Sequence, residues 1–208
     1  RAQLARPAAP PPRRRHDDKP APALSVVAPC YNEEAGLAAF VARMTAACAA
    51  VAGDDYELLL VNDGSRDATW SVIQALSTEH PAIVGVNLSR NYGHQLAVTA
   101  GLALARGGRV LIIDADLQDP PELLPDMIAL MDGVDGKGGA DVVYGQRRQR
   151  DGESLFKRAT AAAFYRLIGR MTDVQIPLDA GDFRLVTRRV LDLLVAMPER
   201  HRFIRGMV

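Results

Sequence analysis

Two aspartates one residue apart, Asp114 and Asp116, follow the apolar run Leu111-Ile112-Ile113 and precede Leu117-Gln118-Asp119-Pro120-Pro121-Glu122. A run that is apolar on both faces and ends in a polar turn predicts a buried parallel strand. In extended backbone, residues two apart share a side, so both carboxylates should project from the strand's carboxyl end. Open α/β sheets bind ligands at that edge. Two close carboxylates repel unless a cation sits beside them, and hard oxygen donors suit Mg²⁺ or Mn²⁺. Gln118 could add a neutral oxygen. An isolated Asp-x-Asp is common and could be only an acidic helix cap with a spare surface aspartate. Its place after a buried strand favours a metal site.

The elements needed to position these acids recur along the chain. Leu24 to Ala28 predicts a first strand, ending in Pro29-Cys30-Tyr31-Asn32-Glu33-Glu34, with helical spacing through Leu37, Phe40, Val41 and Met44. Pro29, Tyr31 and the two acids form a rim able to hold a base and ribose. Asn32 could equally cap the helix, with Glu33 and Glu34 favourable to its dipole. Tyr56 to Val61 predicts a second strand that ends in Asn62-Asp63-Gly64-Ser65-Arg66-Asp67. Asp63 could accept a hydrogen bond from a nucleobase or ribose, although turn chemistry alone explains Asp-Gly, and Ser65 or Asp67 can cap the next helix.

A third strand, Ile83 to Leu88, leads into Ser89-Arg90-Asn91-Tyr92-Gly93-His94-Gln95 and an alanine-rich helix from Leu96 to Arg106, small enough to pack close to the sheet. Arg90 could approach a phosphate, and Gly93 could admit a ligand to the backbone. His94 has no His or Cys partner nearby and reads as a hydrogen bonder at a helix start. Arg109 to Ile113 is the fourth strand. Pro121-Glu122 opens a helix to Met131, and Asp141 to Tyr144 is a fifth strand.

The segment Gln146 to Gly152 holds three arginines, including Arg147, and predicts a phosphate clamp that is mobile without ligand and orders on binding. Leu155 to Met171 reads as an amphipathic helix whose charges, Lys157, Arg158, Arg166 and Arg170, are all basic. Such a helix suits an anionic membrane surface, or a core-facing helix with a solvated basic face. Asp179 and Asp182 come to a later strand edge, a helix spans Arg188 to Met197, and the chain runs on through Arg202 and Arg205.

The 25 basic and 25 acidic residues of the 208 cancel, which argues against bulk nucleic-acid binding. Cys30 and Cys48 are too few for a disulfide scaffold, which suits a reducing cytosolic compartment. No apolar segment approaches the roughly 20 residues that cross a bilayer. Residues 1–22, rich in proline and arginine, predict a flexible tail, and 23–208 a single α/β domain, mainly a parallel sheet flanked by helices. The Arg13-Arg14-Arg15 run could touch anionic lipid or stay solvated. The nucleotide loops G-x-G-x-x-G and G-x-x-x-x-G-K-[ST] are absent.

The order Pro29-Cys30-Tyr31-Asn32-Glu33, Asn62-Asp63-Gly64-Ser65, Asp114-Ala115-Asp116-Leu117-Gln118 resembles the inverting glycosyltransferases of GT-A fold. Ser89 to Gln95, Pro120-Pro121-Glu122 and Asp179-Ala180-Gly181-Asp182-Phe183-Arg184-Leu185 narrow the likeness to the polyprenyl-phosphate branch, the bactoprenol glucosyltransferases and dolichol-phosphate mannose synthases, over about Leu24 to Val208. The resemblance implies that Pro29, Tyr31, Glu33 and Asp63 hold the base and ribose, and that Asp114, Asp116 and Gln118 serve Mg²⁺ or Mn²⁺ and the diphosphate. It implies lipid-phosphate binding by Arg147 with Lys157 or Arg158, and closure over the donor by Arg202 and Arg205.

It further implies a UDP- or GDP-sugar donor, with UDP favoured, a polyprenyl phosphate acceptor, and work at the cytoplasmic face of the plasma membrane. Relatives continue into membrane helices beyond this point, so the chain is expected to be part of a longer protein. Homo-oligomerisation is left open. Asp179 and Asp182 are expected to position sugar or acceptor, without a choice between them. An aspartyl-phosphate phosphatase would want Thr or Val where Gln118 stands, and a nucleotidyltransferase a Gly- and Lys/Arg-rich loop where Pro29-Cys30-Tyr31-Asn32 stands. A nucleotide-sugar-binding module without turnover, or transfer to another acceptor, are the remaining alternatives.

Overall fold

The computed structural model describes residues 20–133, 139–146, 180–199 and 204–208. Arg147, Lys157, Arg158, Asp179 and Arg202, the Leu155–Met171 helix, nearly all of the Gln146–Gly152 loop and the side chain of Arg205 lie outside the described residues.

Four strands, β1 (Leu24–Cys30), β2 (Tyr56–Asn62), β3 (Ile83–Asn87) and β4 (Arg109–Ile112), alternate with the helices α1 (Leu37–Ala52), α2 (Thr69–Glu79) and α3 (His94–Leu104). A turn of 3₁₀ helix at Pro121–Leu123 leads into α4 (Leu124–Asp132). Then come β5 (Val142–Gln146), β6 (Ala180–Thr187), α5 (Arg188–Ala196) and the short α6 (Ile204–Met207). The sheet order is β3-β2-β1-β4-β6-β5. β1 to β4 run parallel, β6 is antiparallel to both its neighbours, and helices cover both faces. This is the mainly parallel α/β architecture expected. No helix among the described residues is long and apolar enough to cross a membrane.

Alternation along the strands divides the core in two, as period-two geometry requires. Val26, Ala28, Leu58, Leu60, Leu111 and Ile113 face α1 and α4. Val27, Leu59, Val110, Ile112 and Val186 face α3 and α5. α3 lies close to the sheet because Gly101 meets Val27 and Val61, so that a Cβ there would run into the Val27 side chain. Small residues thus set the depth at which the start of α3 meets the sheet edge.

Several boundaries differ from the sequence reading, each for a local reason. β1 runs on through Pro29 to Cys30. Val27 faces β4, since its carbonyl accepts the Ile113 amide at 3.1 Å, and Pro29 shares that side. Because β4 ends at Ile112, paired with Val27, no ladder partner is lost for want of a proline N–H. α3 begins two residues earlier than expected and ends at Leu104. The buried carboxylate of Glu57 accepts the Arg106 amide at 2.8 Å and its guanidinium at 2.8 and 3.1 Å, drawing Arg106 out of helical register. Ser25 Oγ donates to Glu57 at 2.6 Å and accepts from the Gly107 amide at 2.7 Å.

Glu57→Ala should destabilise the domain by about 3 kcal/mol in urea unfolding, because it strands a largely buried guanidinium. A loss within experimental error of zero would show that Arg106 reaches water instead. On the surface, a bidentate pair at 2.7 Å joins Arg43 of α1 to Glu122. The hydrogen bonds from Arg43 hold Glu122 down at about 2, from an ordinary 4.5. With the folded value depressed, the pair's contribution is complete above 4.5 and is lost as pH falls through about 2. In Arg43→Met, carboxyl titration followed by NMR should return Glu122 to near its ordinary value.

Candidate active site

The carboxyl ends of β1, β2 and β4 and the start of α3 enclose a cleft. Pro29, Cys30, Tyr31 and Glu33 form one wall, Asp63, Asn91, Gly93 and His94 the second, and Asp114, Ala115 and Asp116 the floor. Of the residues expected to hold a base and ribose, all four (Pro29, Tyr31, Glu33 and Asp63) line it.

The loops after β1 and β2 are zipped together. The Asn32 amide donates to Ser65 Oγ at 3.0 Å, Asn32 Oδ1 accepts the Arg66 amide at 2.9 Å, and the Glu33 amide donates to Thr69 Oγ1 at 2.8 Å. Asn32 therefore does not cap α1, as one reading of the sequence allowed. Its φ of 58° turns its side chain to the neighbouring loop, and α1 starts only at Leu37. Asp67, as expected, serves the start of α2, accepting the Thr69 amide at 3.0 Å. Glu34 Oε2 accepts the Ala68 amide at 2.6 Å.

Asp63 is buried, and its two oxygens accept the amides of Tyr92 at 2.7 Å and Gly93 at 2.9 Å. Gly64 packs against the backbone of Arg90 and Asn91, where no Cβ would fit. The loop before α3 is thereby fixed to the end of β2, and Gly93 makes the turn at φ 93°. Arg90, expected near a phosphate, instead lays its guanidinium 4.6 Å from the centroid of the Tyr92 ring and does not line the cleft.

Asp114 and Asp116 both reach the floor, but not through extended backbone. β4 stops at Ile112, Ala115 and Asp116 lie in a turn, and Leu117 adopts φ 60°. A left-handed leucine is strained, and such strain gathers where a site dictates the backbone. Asp116 Oδ1 accepts the Gln118 amide at 3.0 Å. Gln118 itself does not line the cleft.

Burial, then the nearby acids, pushes Asp114 up from the ordinary carboxylate range, while His94 opposes the shift. Glu33 is raised too, first by burial and then by Asp116, Asp67 and Asp114. Burial also raises the Cys30 thiol, which leaves it protonated and inert.

Asp182, one of the two acids left undecided, comes to the same place. β6 runs antiparallel to β4, pairing as far as Ile112 with Arg184, and beyond that pair the two acids come near enough for His94 to reach both. His94 joins them, its Nε2 3.0 Å from Asp182 Oδ2 and its Nδ1 3.7 Å from Asp114 Oδ1. The hydrogen bond with Asp182 raises the imidazole pKa. The search for His or Cys partners missed this residue. Its partners are carboxylates, one of them 88 residues away, and no local spacing signals the pairing.

The donor set fits a hard divalent cation. Asp114 Oδ1 is buried without a hydrogen-bond partner among the described residues, a state that a cation would relieve. No three His, Cys, Asp or Glu side chains among the described residues form a cage by themselves. Two carboxylates, completed by water and a ligand's phosphate oxygens, match the way Mg²⁺ is commonly held.

The chain is similar to several known proteins. A Bacillus subtilis protein described as an uncharacterized glycosyltransferase, YkcC, is 45% identical over 184 residues, covering 88% of this chain and 55% of its own length. A prophage bactoprenol glucosyl transferase homolog of Escherichia coli is 36% identical over 185 residues, covering 89% of this chain and 58% of its own. The chain thus spans little more than half the length of these relatives. Among solved structures, a mannosyltransferase from Pyrobaculum calidifontis in complex with GDP-Man and Mn²⁺ superposes with a TM-score of 0.59 at 21% identity, covering 86% of this chain and 51% of that one. That likeness supports the GT-A fold. With residues 25–194 matched by the model of glycosyl transferase family 2, the chain belongs to that family and has its GT-A fold.

Proposed function

We propose that this domain, residues 23–208, transfers a hexose from a nucleoside-diphosphate sugar to a polyprenyl phosphate, with inversion and with Mg²⁺ or Mn²⁺. The observation that carries the reading is the buried Asp114 oxygen, unpartnered among the described residues and lying with Asp116 in the floor between the walls of Tyr31 and Asp63. The acceptor class rests on the likeness to a bactoprenol glucosyl transferase homolog.

Tyr31, with its side chain partly exposed on the wall, supplies a face for a nucleobase. Asp63 keeps lone pairs beyond the two amides it already accepts, and uracil and guanine both present an N–H to such an oxygen. Asp114 and Asp116 would hold the cation, which when bound acts as a Lewis acid on the diphosphate. Asp182, bonded to the cleft-lining His94, would act next to the sugar.

The lipid phosphate oxygen attacks the anomeric carbon from the side opposite the diphosphate. The C–O bond to the nucleotide breaks, and its electron pair leaves with the nucleoside diphosphate. A phosphate monoester with a second pKa of about 6 is already largely dianionic at neutral pH and needs little general-base help. Asp182 is therefore read as a positioner of sugar or acceptor. A lipid acceptor places the reaction at a membrane surface, and we assign the parent protein to the cytoplasmic face on the same reading.

The test is a panel of UDP- and GDP-hexoses with Mn²⁺, with and without polyprenyl phosphate. Release of nucleoside diphosphate that requires the lipid, together with a lipid-phosphate sugar product, is expected. Donor binding with no release in either arm would identify a binding module, and release that ignores the lipid would point to another acceptor. Asp116→Asn should remove the Mn²⁺-dependent gain in nucleoside diphosphate affinity, by about tenfold or 1.4 kcal/mol in calorimetry. An undiminished gain would move the cation elsewhere. Arg147→Ala should raise the KM for polyprenyl phosphate about tenfold, the loss of one charge-assisted hydrogen bond, and leave nucleotide affinity nearly intact. Equal losses on both substrates would put Arg147 on the donor side.

A further inference from the structure

Beside His94, the first turn of α3 carries a second polar side chain, Gln95. Gln95 donates from Nε2 to Asp182 Oδ2 at 3.3 Å, and its Oε1 accepts the amide of Ile204 at 3.0 Å. One primary amide thus joins the acid of β6 to the first residue of α6. Its neighbour His94 meets the same Asp182 oxygen at 3.0 Å, and Arg184 Nη2 lies 3.3 Å from the other.

The requirement at position 95 is specific. The side chain must donate to a carboxylate and accept from an amide at once, and must span from α3 to both. A glutamine does this. A glutamate could accept from Ile204 but would repel Asp182, and a lysine could donate but not accept.

The Ile204 end of the contact is not a loose surface encounter. Ile204 is 2% exposed and packs in the core layer formed by Val27, Leu59, Val98 and Leu102, with Met207 beside it. Seating of α6 therefore has an apolar anchor and a polar register mark, and the mark is Gln95.

We propose that Gln95 is a positioning residue for Asp182, and that through it the placement of Asp182 is coupled to the docking of the segment starting at Ile204. The proposal rests on the glycosyl-transfer reading for its kinetic consequence but not for its structural one. With α6 seated, both ends of the amide are occupied and its torsion is set, so Nε2 is held toward Asp182. With α6 lifted, the Oε1 end loses its partner and the amide is free to turn to water. Asp182 then keeps its contacts to His94 and Arg184 but loses the donor that fixes its second direction. Tyr31 and Asp63, the residues proposed for the base, are untouched, so the effect belongs to turnover and not to donor affinity.

The experiment uses the full chain and four variants: Gln95→Met, Gln95→Glu, Ile204→Ala and the Gln95→Met/Ile204→Ala double. Nucleoside diphosphate release gives kcat and donor KM, and amide hydrogen exchange reports protection at residue 204. Gln95→Met should lower kcat about tenfold, the scale of a misplaced group near the chemistry, with donor KM within about twofold. It should also expose the residue-204 amide. Gln95→Glu should lower kcat similarly yet keep that amide protected, which separates the two halves of the contact.

Ile204→Ala, which touches neither Asp182 nor the cleft, should lower kcat by a comparable factor. The double variant should lose no more than either single, because coupled sites are not additive. Losses that multiply, a Gln95→Met enzyme with wild-type kcat, or a KM that rises as far as kcat falls would each overturn the coupling. If the wild-type chain turns over no donor with polyprenyl phosphate, the functional reading fails. The exchange data still decide the docking, and unchanged protection in Gln95→Met overturns it.

Discussion

The carboxylate of Asp63 holds the cleft together. Buried at the end of β2, it takes the amides of Tyr92 and Gly93 on its two oxygens and so fixes the loop that enters α3. The consequences run along the chain. Gly93 turns sharply, α3 starts at His94, and the helix's first two side chains arrive at Asp182. At the other end of that helix, Gly101 against Val27 sets the depth at which α3 lies on the sheet. A buried carboxylate is tolerated because backbone N–H groups replace the water it loses. Asp63 spends that compensation on a loop, and the loop places the machinery.

The floor is arranged in the opposite way. Glu33, Asp114, Asp116 and Asp182 are brought near one another, and burial raises Asp114 and Glu33 before their mutual repulsion is added. The His94 imidazole lies between two of these acids, and its hydrogen bond with Asp182 raises its pKa. Among the described residues Asp114 Oδ1 has no hydrogen-bond partner. The fold satisfies both oxygens of Asp63 at the end of β2, yet two strands later in the chain it leaves this oxygen without such a partner. Unsatisfied buried groups are rare, and this one lies on the floor of the cleft.

Much of this was open to inspection in the sequence, because it depends on local rules. Apolar runs ending in Pro29-Cys30-Tyr31, Asn62-Asp63-Gly64 and Asp114-Ala115-Asp116 mark strands and their carboxyl ends, and parallel β-α-β order sends those ends to one edge. That logic brought Pro29, Tyr31, Glu33, Asp63, Asp114 and Asp116 to one cleft. Local rules failed where the answer lay in pairing. β6 slots in antiparallel beside β4, and that pairing carries Asp182 to the His94 that also meets Asp114. Glu57 ends α3 early from 49 residues away, and Asn32 serves a neighbouring loop in preference to its own helix. Arg90, a reasonable phosphate ligand by position, is held over Tyr92.

Among the described residues, two non-glycine residues are left-handed, Asn32 and Leu117, each next in the chain to a residue that lines the cleft. Asparagine tolerates this conformation, but leucine does so only where the surroundings compel it. At Leu117 the compulsion is visible. The side chain packs against the main core while the backbone turns at Ala115 and Asp116. Had β4 simply continued, Asp116 would have followed the strand's line beyond Asp114. With the turn, both acids line one cleft, and Pro120-Pro121, with Pro121 opening the 3₁₀ turn, stiffens the exit from it.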